Sequence, residues 1–270
     1  MLNALSTTWR TLAKNRRLLV EMAKRDLSDR YSGQILGKIW GFVHPAATVS
    51  VFLFIFGVIF RAKAAGVGVT FPADHAVYMV SGLIPWLIVA EVISRASATV
   101  SGQAALVKQV VFPLEVLPVK MVIATLPTLV IGFAGLFAYV LIRFGTLPVS
   151  YLMLPVAVAI LYVFLIGVAF MISAVAVFFR DLKDIVQLYT LLGLYLAPIF
   201  YFIDWVPEKA RVVVYLNPVS YFIMMFHDVA YHGAAKSLSA WGGAAMLSLI
   251  AVTLGAMLFN RLKPYFGTYL

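Results

Sequence analysis

The sequence predicts an all-α integral membrane protein with six transmembrane helices, an N-terminal amphipathic interface helix and two short re-entrant helices on the outer side. Three observations carry that expectation. Of 270 residues, 63% are hydrophobic and 12% charged, against roughly 45–50% and about 25% in soluble domains, and mean hydropathy is +0.98. Charge-poor stretches recur at lengths that suit a bilayer, where a spanning helix needs about 20 apolar residues. The 21 Lys and Arg are spread unevenly along a chain of net charge +10. This composition excludes a water-soluble globule. With no cysteine, disulfides, thiolate metal sites and thiol nucleophiles are excluded as well.

A charge at mid-bilayer costs about 2.5–3.5 kcal/mol on insertion scales, so uncharged runs locate the crossings. The first is Ile39 to Phe60, the second runs from about Ala76 to Ile93 with Glu91 near its end, and the third is Met121 to Ile142. The uncharged stretch Phe144 to Phe179 is too long for one crossing and too short for two with a turn. A loop through Gly145, Pro148 and Ser150 followed by one long or tilted helix fits it. The fifth span is Ile185 to Ile203 and the sixth Ser237 to Asn260. Fifteen cations fall on one side of these six spans and six on the other, which puts both termini in the cytosol. The expected division is a cytosolic N-terminal segment (1–38), a six-span domain (39–260) and a cytosolic tail (261–270).

Eight cations (Arg10, Lys14, Arg16, Arg17, Lys24, Arg25, Arg30 and Lys38) precede the first span. That collar suits lipid headgroups rather than a nucleic-acid groove, and no apolar core with a cleavage site marks a signal peptide. Within Leu5 to Tyr31, Leu5, Trp9, Leu12, Leu19 and Met22 recur at helical spacing, the pattern of a helix lying in the headgroup layer. Such a helix either positions a cytosolic partner or anchors the chain to anionic lipid. Gly33, Gly37 and Gly41 follow, as a close-approach stripe for a second copy or as a bend into the first span. On the outer side, Asp204 to Lys236 contains two helix starts. Pro207 and Pro218 each stand as first helical residue, with Asn217 as the cap of the second. The pair forms either an outer vestibule or gate, including Tyr221, or a plain cap.

Intramembrane ionisable residues mark proton relays and carriers, and this chain has almost none. His44, before Pro45, is read as structural. His227, Asp228 and His232 are close enough to suggest a metal or acid-base pair, but no third strong ligand adjoins them. No G-x-x-x-x-G-K-[ST] loop is present, so any ATP dependence belongs to another polypeptide. Two loops could receive its push. Ser101 to Gln109, with Gln103, Leu106, Val107 and Lys108, reads as a short amphipathic helix; Arg180 to Asp184 is a charged turn with Asp181 available as a helix cap. Either could equally be a solvated connector. The spans instead carry rings: Phe52, Phe56 and Phe60 on one face of the first, with Trp40 near its inner edge, and Tyr189 and Tyr195 in the fifth. Aromatic faces can stack on sugar rings, and they also serve lipid contact and helix packing.

Lys24-Arg25-Asp26-Leu27, followed by Arg30 to Trp40, resembles the N-terminal motif of type-2 ABC exporter permeases for bacterial surface polysaccharides, such as O-antigen, capsule and teichoic acid. The resemblance continues in Gly82-Leu83-Ile84-Pro85-Trp86, Leu106 to Pro118, Phe179 to Gln187, Ala197 to Tyr201, Leu216-Asn217-Pro218 and Arg261 to Pro264. Ser32 and Gln34 depart from it, standing where many relatives are basic.

The resemblance implies a non-enzymatic transport subunit of the bacterial inner membrane, working as a homodimer with two copies of a separate ABC ATPase that holds ATP and Mg. It implies a lipid-linked polysaccharide as substrate, Ser101 to Val110 as coupling helix, Asp204 to Lys236 as outer gate helices, and the first and fifth spans as the path lining. An exporter of a drug or other small amphiphile is the alternative within transporters. Beyond transporters, a transferase acting on lipid-linked sugars would use Asp74, Glu91, Asp204 or Asp228, and a structural anchor would only dock a cytosolic complex.

Overall fold

The computed structural model describes residues 2–30, 33–35, 37–60, 74–109 and 112–270, without the side chains of residues 2–5, Lys38, Phe60, Val107 and Gln109. Every regular element among the described residues is helical. Two helices, α1 (Leu2–Lys14) and α2 (Arg16–Asp29), lie across one end of the bundle. Their apolar stripe is split: Leu12, Leu19 and Ala23 are buried, whereas Trp9 faces outward. Gly33 and Gly37 follow with φ of 80° and 48°, in the left-handed region that favours glycine.

The chain then enters α3 (Trp40–Phe54), which continues as a π-helical turn over Ile55–Phe60. α4 (His75–Thr99) returns, capped where the Asp74 carboxylate accepts the Ala76 N–H. The short α5 (Ala104–Gln109) precedes α6 (Val116–Ile123) and α7 (Leu126–Phe144), which together form the third crossing. Pro127 lacks the N–H needed to continue α6. The Thr125 hydroxyl bonds both the Val122 carbonyl (2.8 Å) and the Tyr162 hydroxyl (2.9 Å) at the break. α7 ends at left-handed Gly145, and a short 3-10 turn leads into α8 (Leu154–Ala176). α9 (Leu182–Leu196), α10 (Glu208–Leu216), α11 (Pro218–His227, extended by a π turn to His232), α12 (Leu238–Leu262) and α13 (Phe266–Tyr269) complete the order.

Five of these segments are long and apolar enough to cross a membrane: Trp40–Ile59, His75–Thr99, Val116–Phe144, Val149–Ala176 and Leu238–Tyr269. Three expectations need correction. The third crossing begins at Val116, ahead of the expected Met121, and includes Lys120; the second runs on past Ile93 through Arg95 to Thr99. Charge was tolerated because it is paired: Lys120 Nζ lies 3.8 Å from Asp26 and Arg95 is bonded to both Asp26 and Glu91. The expected fifth span is helical only to Leu196, because Pro198 disfavours helix in the residue before it. Fifteen residues rise about 22 Å, short of a core of about 30 Å. A turn and bends over residues 197–201 follow, with the Ile199 N–H bonding the Ala197 carbonyl and the Tyr78 hydroxyl bonding the Pro198 and Tyr201 carbonyls. Unwound backbone at membrane depth requires such partners.

At one end of the bundle α1 meets α12, where Asn260 donates to Thr8 (2.7 Å), α2 meets α6, and Lys263 pairs with Glu115 just ahead of α6 (2.7 Å). Leu12, Leu19, Leu117, Phe259 and Phe266 fill a second, smaller core there. This is the collar end, shared by the first and last helices. The main core is built around α4. Behind it α8 and α12 cross at backbone contact: a Cβ on Gly167 would stand 2.3 Å from the Ala251 carbonyl carbon, and one on Gly255 would stand 2.2 Å from the Gly167 oxygen.

Candidate functional site

On α3 the four-residue spacing brings Phe52 and Phe56 into a stack at 6.0 Å. Phe56 is 6.1 Å from Phe200, in the turn after α9, and Phe200 is 6.2 Å from Tyr195. The two aromatic faces read separately from the sequence thus join into one path of rings across α3 and α9. Phe52, Phe56 and Phe200 are half-buried, and Tyr195 is 65% exposed. Trp40 is also exposed, at the collar end of α3. Tyr189 is drawn inward, its ring 6.1 Å from buried Trp86 and its hydroxyl donating to Asn217 Oδ1 at 3.0 Å. Gly193 allows that approach, since a Cβ there would meet the Trp86 ring at 2.4 Å. Of the expected path residues, the Phe60 side chain lies outside the described residues.

α10 and α11 meet at 100°, with Asn217 at the apex. Both outer limbs lie at the far end. Trp205, just before α10, has its ring 6.4 Å from His75 at the start of α4, and Tyr231, at the end of the π turn, is 5.1 Å from Tyr78. The apex lies at the depth of Tyr189, about 10 Å back from the end of α9. The pair therefore doubles back at Asn217, as a broken span or a re-entrant loop does. Asn217 Oδ1 accepts the Val219 N–H at 3.1 Å, the expected cap ahead of Pro218, whereas Pro207 stands at the cap position of α10, one place earlier than expected. Tyr221 packs against Gly243 and lies 6.4 Å from Tyr215.

His227, Asp228 and His232 do not converge on a ligand. The His227 ring stacks on Tyr78 at 3.8 Å, and Asp228 Oδ2 accepts the Ser237 N–H and the Trp241 indole N–H. Among the described residues no group of three or more His, Asp or Glu could hold a metal ion.

Both loops expected to face a partner lie at the collar end. Gln103 ends a 3-10 turn, half-buried Leu106 packs into the smaller core, and Lys108 is exposed; the Val107 side chain lies outside the described residues. Arg180 and Asp181 are exposed. Asp181 occupies the cap position of α9, but its side chain makes no cap bond, because its backbone is already helical (φ −68°, ψ −11°) where a capping side chain needs an extended one.

The sequence reading missed an ion-pair knot. Arg30, one residue past α2, lies 2.5 Å from Glu91 on α4. Arg95, one turn further along α4, bonds Glu91 (3.3 Å) and Asp26, and Lys120 on α6 reaches Asp26. These side chains are largely withdrawn from solvent, so removing one partner would leave a poorly solvated charge. The knot fastens the collar to the second and third crossings. Its signal was the presence of both signs of charge at the edges of neighbouring spans.

Among the described residues, a bundle of long apolar helices with a sharply bent helix pair at one end and charged loops at the other defines a multi-pass membrane protein. The family model described as ABC-2 type transporter matches residues 17–231, and the chain belongs to that family, the one to which the motif resemblance pointed. The chain is similar to the O-antigen export system permease protein RfbA of Klebsiella pneumoniae, 28% identical over 266 residues that cover 94% of this chain and 95% of the relative. A second protein of that name and organism is 27% identical over 268 residues, with the same shares covered. The RfbA protein of Myxococcus xanthus is 26% identical over 261 residues, covering 96% of this chain and 97% of the relative.

Proposed function

We propose that the chain is the channel-forming subunit of an ATP-driven exporter that moves a lipid-linked polysaccharide of the O-antigen, capsule or teichoic-acid type across the bacterial inner membrane. The observation that carries this reading is the path of rings Phe52, Phe56, Phe200 and Tyr195 on a flank that the chain leaves uncovered. Rings bind sugar faces while tolerating different linkages, so a glycan slides past without deep trapping. Similarity over nearly full length to proteins named as O-antigen export permeases supports the choice of cargo.

In this reading α9 and its non-helical continuation make a sixth crossing, residues 39–260 form the transmembrane domain between cytosolic segments 1–38 and 261–270, and two copies of the chain enclose the passage. Two copies of a separate ABC ATPase bind ATP and Mg at the collar end. Their closure presses on Gln103, Leu106, Val107 and Lys108 and on Arg180 and Asp181. The push shifts α3 and α9 against the fixed bundle. Trp40, Phe52, Phe56, Phe60, Tyr189 and Tyr195 then hold the glycan between strokes, and the apex at Asn217 and Pro218, with Pro207 and Tyr221, gates the outer mouth. No covalent bond is made or broken in this chain.

The test is export in cells. Deleting the chain should abolish surface polysaccharide and accumulate its lipid-linked precursor inside. Phe56→Ala with Tyr195→Ala should cut export at least tenfold at unchanged protein level. Normal surface polysaccharide in the deletion strain, with ATP-driven movement of a small dye by the purified complex, would replace this reading with small-amphiphile export.

A further inference from the structure

A cavity of about 790 Å³ opens beside the ion-pair knot, bounded by α3, α4 and α7 and by the chain that follows α2. Its wall changes character with depth. Arg30, Arg95, Glu91, Gln34 and His44 line it toward the collar end, while Val49, Ile84 and Ile88 line the far part. Ile84 and Arg95 are eleven residues apart on α4, a rise of about 16 Å, which is half of a hydrocarbon core of about 30 Å. The chamber is therefore as deep as one leaflet, polar at headgroup level and apolar below it. Helix packing normally leaves few voids larger than a water molecule. A ligand-sized chamber with apolar walls and a few convergent polar groups is the usual form of a binding site.

The charge at the mouth selects the ligand class. Of the charged side chains that line the mouth, Arg30 and Arg95 both bond Glu91, so the lining carries one positive charge in excess. A guanidinium carries five donors in a planar fork that fits phosphate oxygens as well as carboxylates. A free inorganic anion would use the mouth and leave the apolar depth unfilled; an uncharged hydrocarbon would leave the excess charge unmatched.

We propose that this cavity binds one phosphoryl-headed amphiphile, with its phosphate at Arg30 and Arg95 and the adjoining stretch of its hydrocarbon chain along Val49, Ile84 and Ile88. Its source is either the carrier lipid of the exported glycan, in which case the inference rests on the export reading, or an anionic lipid of the surrounding membrane.

The test is calorimetric titration of the full-length purified protein in uncharged detergent with four ligands: farnesyl pyrophosphate, farnesol, inorganic pyrophosphate and a short-chain phosphatidic acid. Saturable binding of farnesyl pyrophosphate or phosphatidic acid is expected at least tenfold tighter than that of farnesol or pyrophosphate. Preference for the first assigns the site to the carrier lipid, and equal binding of both assigns it to membrane lipid. Arg30→Gln should weaken binding at least tenfold. Thr48→Trp, which fills the chamber without altering its charge, should do the same in protein that remains monodisperse. Farnesol binding as tightly as farnesyl pyrophosphate, or unchanged binding in both variants, would overturn the proposal. So would a folded protein that binds none of the four while the deletion strain loses its surface polysaccharide, and that result would leave the export reading intact.

Discussion

Two neighbouring helices of this protein are held in opposite ways. Within the chain, 83% of the apolar stretch of α4 is buried, against 17% of that of α3. α4 is enclosed by α6, α7, α8, α9 and α11, whereas α3, among the described residues, leans mainly on α7 and one side of α4. α9 resembles α3 in this respect, exposing Leu188, Leu191, Leu192 and Tyr195. The difference separates a pillar of α4, α8 and α12 from a flank of α3 and α9. Lipid solvates an apolar face as well as another helix does, so the flank is weakly fastened and can move at low cost. The pillar is locked by backbone contact that no side-chain rearrangement relieves.

The largest expected effect lies in the pillar. Gly167→Leu drives a side chain into the Ala251 backbone, and with nothing flexible to yield, the cost is expected to exceed about 3 kcal/mol. The monodisperse peak of the detergent-extracted protein should disappear. A stable, correctly folded Gly167→Leu protein would break the distinction between pillar and flank.

Where pillar and flank meet, Asn217 holds Tyr189 of α9 and caps α11 at once. Asn217→Ala is expected to cost about 1–2 kcal/mol, mainly the lost cap. Denaturant unfolding should show that loss, and hydrogen exchange in α9 should quicken more than in α12. Uniform quickening would mean that the two regions unfold as one. The smallest effect belongs to the outer face of α9. Leu192→Ala, at an exposed position, should change stability by less than about 0.5 kcal/mol. A larger loss in protein kept dilute enough to dissociate would place Leu192 in an intrachain contact.

Much of this contrast was legible in the sequence. The recurrence of Phe52 and Phe56 at helical spacing marked one face of α3, and the Pro and Asn residues at 207, 217 and 218 marked a broken outer pair. Hydrophobicity alone could not show that α4 is central and α3 peripheral, because a buried helix and a lipid-facing one are equally apolar. The ion-pair knot escaped because charges served as boundaries of spans. Arg95 and Lys120 lie inside their helices, and only the folded chain brings Asp26 and Glu91 to them. The end of α9 was overrun for the complementary reason. The uncharged run continues to Ile203, but Pro198 breaks the helix and Tyr78 supplies the hydrogen bonds that let the backbone unwind. Phe200, the link between the two ring faces, lies on that unwound stretch.

In the proposed export reading, α3 and α9 move against a static pillar when a partner ATPase turns over. Because the chain has no cysteine, one introduced thiol gives one spin label per copy. Phe54→Cys on α3 and Leu254→Cys on α12 are both at exposed positions. In the assembled transporter, pulsed electron paramagnetic resonance should show the distance between the two Phe54→Cys labels changing by several ångström on ATP binding, while the Leu254→Cys distance stays constant. Equal displacement at both positions, or no change at Phe54→Cys, would contradict the account.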